Sequence, residues 1–72
     1  MNVRGKVVFE ELEGGLWGIV SPEGRRFSTP DLPAEFREPG LEVIAELERV
    51  PGLSIRMWGI ETRVISVQRD EP

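Results

Sequence analysis

Apolar residues fall on every second position through most of this chain, in short stretches separated by glycine or proline. VRGKVVFEEL, LWGIV, RRFS, LEVIAELERV and SIRMWGIETRVISV follow one another, rich in β-branched and aromatic residues. A period of two in segments this short is the pattern of β-strands. Long amphipathic helical spacing is absent. The chain has 72 residues, which make one domain, 1–72. A domain of that size buries only about 60% of the surface its unfolded chain exposes, so nearly every large apolar side chain is needed for the core. Short strands with tight turns in so few residues predict a small barrel or sandwich.

The best-defined turn is Ser21-Pro22-Glu23-Gly24. Pro22 fixes φ for the second position of a type I turn, and Gly24 suits the left-handed conformation that follows. This is a three-residue hairpin loop with a glycine bulge. It sets Ser21 opposite Arg25, Ile19 opposite Phe27 and Trp17 opposite Thr29. Trp17, Ile19 and Phe27 then share one face, and Leu16, Gly18, Val20, Arg26 and Ser28 the other. Before it, Glu13-Gly14-Gly15 joins the first two strands. Val7 and Phe9 alternate inward, but Leu12 has the opposite parity. A β-bulge near Glu10 and Glu11 would reconcile them and bend a long first strand around the barrel.

Pro30 to Arg37 reads as one helical turn. Asp31 is placed to cap it, Pro33 suits its first turn, and Leu32 and Phe36 face the same way. Such a turn would plug an open barrel end. Leu41, Val43, Ala45 and Leu47 then alternate with glutamates, with Ile44 as the exception. Pro51-Gly52 turns the chain into a last stretch through Ile55, Met57, Val64, Ile65 and Val67. Gly59 marks a bend or bulge, and residues 70–72 a frayed tail. The expected fold is all-β: an OB-like closed barrel of five to six strands, with one short helical turn between strands three and four. An SH3-like barrel is the competing topology.

These blocks resemble a family of small prokaryotic β-barrel proteins of unassigned activity. The resemblance runs through Glu13-Gly14-Gly15-Leu16-Trp17-Gly18-Ile19-Val20, Asp31-Leu32-Pro33-Ala34-Glu35-Phe36, Gly40-Leu41-Glu42-Val43 and Met57-Trp58-Gly59-Ile60, and covers residues 5 to 67. It implies a compact barrel and supplies no catalytic or ligand residues. Arg56 stands where relatives often carry His, and Phe27 where they often carry Tyr.

The chemistry available is narrow. There is no cysteine, histidine or tyrosine, which removes thiolate chemistry, the usual neutral-pH base and the commonest metal ligand. No nucleophile elbow or phosphate loop occurs, since Glu13-Gly14-Gly15 precedes a strand and not a helix. Glu10, Glu11, Glu13, Glu46 and Glu48 read as solvated faces. The expectation is a chain without enzymatic activity, cofactor or metal. Net charge is −4, which disfavours nucleic acid. Of nine basic residues only Lys6 is lysine, and the Arg, Glu and Pro usage is compatible with heat adaptation. No apolar run approaches the ~20 residues needed to span a bilayer, and the charged N-terminus is unlike a signal peptide. A cytoplasmic protein is expected.

What remains is an interaction module, binding a protein partner or a second copy of itself. Trp17 and Phe27 are needed for the core. Trp58 shares parity with Arg56, and Gly59 leaves its direction open. The candidate partner-binding residues are Trp58, Arg56, Arg26, Val20 and Leu16. Arg25, Arg26, Arg56 and Arg63 read as separate ion pairs on wet strands. The alternative is weak single-stranded nucleic-acid binding through Arg26, Arg56 and Trp58.

Overall fold

In the computed structural model, which describes residues 1–11, 14–50 and 58–71, five strands close into a barrel. They are β1 (Asn2–Glu10), β2 (Leu16–Val20), β3 (Arg26–Ser28), β4 (Glu42–Arg49) and β5 (Ile60–Arg69). One 3-10 turn, Ala34–Phe36, lies between β3 and β4. The all-β closed barrel with a single helical turn in that connection is therefore observed. Around the barrel the order is β1-β2-β3-β5-β4 and back to β1. Neighbours are antiparallel except β3 and β5, which run parallel.

β1 serves two partners. Asn2 to Lys6 pair with β4, and Lys6 to Glu10 pair with β2. Lys6 is the residue shared by both ladders, opposite Val20 on one side and Glu42 on the other. The strand can turn there because Gly5 has no side chain. A Cβ at Gly5 would fall against the Val20 carbonyl oxygen, with Ile19 Cγ2 at 2.9 Å. The bulge expected near Glu10 and Glu11 is not the device that bends β1. The register from Lys6 opposite Val20 to Glu10 opposite Leu16 is unbroken, so Phe9 keeps the inward parity of Val7 and meets Trp17, while remaining 41% exposed. Leu12, whose parity prompted that expectation, lies outside the described residues.

The irregularity sits across the barrel instead. Glu46 is opposite Ser66 and Leu47 opposite Val64, so Ile65 is an extra residue in β5. This bulge turns Val64 and Val67, which have opposite parity, both onto the core. Ile65 is pushed outward and is 55% exposed. The bulged strand also gains the local twist that closure needs.

The hairpin register agrees with the turn chemistry. The Ser21 amide donates to the Arg25 carbonyl and the Gly24 amide to the Ser21 carbonyl, both at 2.9 Å. Gly24 has φ 87°, and Ile19 faces Phe27. These two pack with Val3, Val7, Val43 and Leu47 in the core. Leu32 is fully buried, and Phe36 packs against the core from outside it. The expected plug is thus present, but shorter and held differently. Pro33 occupies the cap position without a side-chain cap, and both Asp31 carboxylate oxygens accept the Val64 amide, at 3.2 and 3.1 Å. Asp31 ties the plug to β5 rather than capping a helix.

The residue after β5 is also tied down. The Asp70 amide donates to the Glu42 carbonyl at 2.9 Å, and its carboxylate lies 3.1 Å from Arg4 Nε. Asp70 belongs to the barrel and not to a frayed tail. Buried hydroxyls secure the seams. Thr62 Oγ1 donates to the Ser28 carbonyl at 2.8 Å across the parallel β3–β5 join, and Thr29 Oγ1 donates to the Trp17 carbonyl at 3.3 Å.

Two glycine substitutions separate backbone strain from steric closure. Gly24→Ala, in open space at positive φ, is expected to cost about 1 kcal/mol. Gly5→Ala, which meets backbone, is expected to cost about 1–3 kcal/mol. Urea midpoints measure both; a Gly5→Ala chain no less stable than Gly24→Ala would show that the bend tolerates a side chain.

Candidate binding surface

Alternation along the strands decides what the outer face carries. Val7, Ile19 and Phe27 point inward, so Lys6 and Val8, Gly18 and Val20, and Arg26 and Ser28 point outward. The ladders align these into rows across β1, β2 and β3. Lys6, Val20 and Arg26 form one row, and Val8, Gly18 and Ser28 the next. A third, shorter row pairs Glu10 with Leu16.

A groove of about 580 Å³ opens along the first row. Val8, Val20 and Pro22 give it an apolar floor, and Arg4, Lys6, Glu42 and Asp70 line its charged rim. Arg4 and Asp70 are paired with each other. Lys6 has no carboxylate in ion-pair range among the described residues. The groove owes its position to the bend in β1, which brings the end of β2 close to Gly5.

Trp58 lies over the second row. Its chain enters β5 through Gly59, where a Cβ would sit 2.6 Å from the Arg26 carbonyl oxygen. That close approach lets the indole reach back across β3. A Cβ at Gly18 would meet its Cζ3 and Cη2 carbons at 2.5 and 2.6 Å. The Arg26 guanidinium carbon stands 5.8 Å from the ring centroid, within cation–π range. Trp58 is half-buried. It points away from the core and lies back on the outer wall, which answers the direction its sequence context leaves open.

The other predicted site residues divide. Val20 lines the groove, and Arg26 is exposed beside Trp58. Leu16 faces outward but is only 2% exposed, so it is not available to a partner. Arg56 lies outside the described residues. The described arginines of that set have separate partners: Arg25 stands over the Phe27 ring at 5.3 Å, Arg26 over Trp58, and Arg63 pairs with Glu48. Trp17 packs against the core and is tilted against Phe9, with ring centroids 4.9 Å apart.

Four groups on this surface were not among the site residues expected from the sequence, Lys6, Val8, Gly18 and Ser28, although Gly18 and Ser28 were placed on the outer face. The signal was available, because Ile19 opposite Phe27 already implies Gly18 opposite Ser28 on the outer side. Ser28 is the most unusual of them. Its Oγ is buried without a hydrogen-bond partner. Among the described residues, no three His, Cys, Asp or Glu groups are placed to hold a metal ion. Among them too, no helix is long and apolar enough to cross a membrane. No family model, curated protein or solved structure matches the chain.

The contact between Arg26 and Trp58 has a spectroscopic consequence. In a Trp17→Phe background, which leaves Trp58 as the sole indole, Arg26→Gln is expected to shift the emission spectrum. Stability should fall by no more than about 1 kcal/mol. Arg25→Gln, next to Phe27 instead, should leave the emission unchanged; equal shifts from both variants would refute the placement.

Proposed function

We propose that this chain is a cytoplasmic, non-catalytic interaction module of the OB type, which takes a protein partner in the groove along β1 and β2. The strand order, the parallel β3–β5 join and the helical turn between β3 and β4 support the OB reading over an SH3-like one. OB barrels present ligands to the face of their second and third strands and the adjoining loops. The groove and Trp58 lie on and beside that face.

The composition of the groove carries the choice of partner. Its floor is apolar, and its rim holds Arg4 and Lys6 against Glu42 and Asp70. A rim of balanced sign offers a polyanion little attraction, and the chain as a whole is negative. A peptide segment with apolar side chains and mixed charge suits it better. The second reading, single-stranded nucleic-acid binding, rests on Trp58 and Arg26 together on the outer face.

Photocrosslinking separates these readings. With a photoreactive benzoylphenylalanine in place of Val20, irradiation in cells is expected to yield a discrete adduct with one other protein. The same probe in place of Ile65, on β5, should not. An adduct at twice the mass of the chain would mean self-association. Salt-sensitive binding of single-stranded DNA or RNA, without a protein adduct, would transfer the surface to the second reading.

A further inference from the structure

We propose that the wall beneath Trp58 is a site for a tyrosine side chain of the partner, and that Trp58 fills this site in the free chain. The inference rests on the reading of the chain as a protein-binding module and names what the partner inserts.

Three observations converge on this small area. Gly18 leaves bare backbone in the middle of the outer face, and a flat ring lies directly on it. An aromatic seat of this kind needs a residue without a side chain, because even a methyl group would meet the ring carbons at 2.5 Å. Arg26 stands over the ring and offers the same cation–π contact to any ring placed there.

Ser28 supplies the specificity. It is opposite Gly18 in the ladder, so its side chain leaves the sheet on the same side, about 5 Å away. The residue is 1% exposed and its Oγ has no partner. A buried hydroxyl without a partner is unfavourable and rare in folded proteins. The indole does not relieve it, since the edge resting on Gly18 is the carbon edge, Cζ3 and Cη2. A ring with a hydroxyl at its rim places a donor and acceptor beside Ser28 while keeping the seat on Gly18 and the contact with Arg26. Tyrosine is that ring, and the chain contains none of its own. A nucleobase also has a polar rim, but it brings phosphates toward a face where, among the described residues, Arg4 is already paired with Asp70, Lys6 and Arg26 are the other basic groups, and Glu10, Glu42 and Glu61 lie on the surrounding rows.

The test uses p-cresol as the tyrosine side chain and toluene as its counterpart without the hydroxyl. Both are titrated into ¹⁵N-labelled Trp58→Ala, and the Gly18 and Ser28 amides are followed. Expected is saturable binding of p-cresol at those amides, at least tenfold tighter than to the wild type, where Trp58 competes. The preference for p-cresol over toluene should be about 3–10-fold and should vanish in Trp58→Ala/Ser28→Ala. Trp58→Ala/Gly18→Ala should bind neither. Should Trp58→Ala lose its dispersed spectrum, Trp17→Phe takes its place, and displacement of Trp58 by p-cresol is read as a red shift of emission.

Amides at Gly18 and Ser28 that do not move, or a hydroxyl preference that survives loss of Ser28, overturn the proposal. So does adenosine moving these amides where p-cresol does not, which would assign the seat to a base. Failure here together with a protein adduct from position 20 would remove only the tyrosine seat. Binding of p-cresol with no adduct from position 20 would instead remove the protein partner.

Discussion

Closure of this barrel depends on the turn that β1 makes at Gly5. In a closed barrel every strand pairs on both sides, and β1 does so with β2 and β4. It does so with its two halves, and Lys6 is where they meet. The turn draws β1 so near to β2 that the Val20 carbonyl occupies the place of a Gly5 side chain. The same approach shapes the groove, since Gly5, Lys6, Val20 and Ser21 all line it. The steric condition for a closed core and the shape of the candidate surface therefore have one cause.

The opposite seam is built with less. β3 has three residues, and two of them, Phe27 and Ser28, pair with β5. Such a short parallel ladder is weak by itself. The Thr62 hydroxyl, the approach of Gly59 to Arg26 and the Asp31 carboxylate on Val64 reinforce it. Each of these contacts fixes β5 against β3 or its following loop. Together they also hold the start of β5 where the Trp58 ring reaches Gly18.

Local chemistry made part of this legible in the sequence. Pro22 and Gly24 specify one turn type, and that turn fixes Ile19 against Phe27 without reference to the rest of the molecule. Leu32 and Phe36 announced the plug by spacing alone. Features that depend on distant partners were not legible. The bend in β1 arises from a contact between Gly5 and Val20, which no local window contains, so the parity of Leu12 suggested a bulge elsewhere. In β5, Val64, Ile65 and Val67 put apolar residues on both parities, and only pairing with β4 shows that Ile65 is the extra one. The outward direction of Leu16 was legible but its burial was not, because exposure depends on what lies across a strand. Asp31 looked like a cap until β5 offered its amide.

The arrangement around Trp58 differs from that of a core aromatic. An indole buried for its apolar area belongs in the core, where Phe27 sits. This one is placed on the outside by two glycines, one that admits its backbone beside Arg26 and one that seats its ring. Gly in a strand interior weakens the strand. In that same row lies a serine hydroxyl with no bond to make. A valine at position 28 would leave no polar group to bury, whereas at position 18 the Phe27 carbonyl oxygen, 2.8 Å from where a Cβ would sit, requires glycine along with the indole. The proposed binding surface rests on bare backbone, an unpaired hydroxyl and a half-buried ring lying in one place.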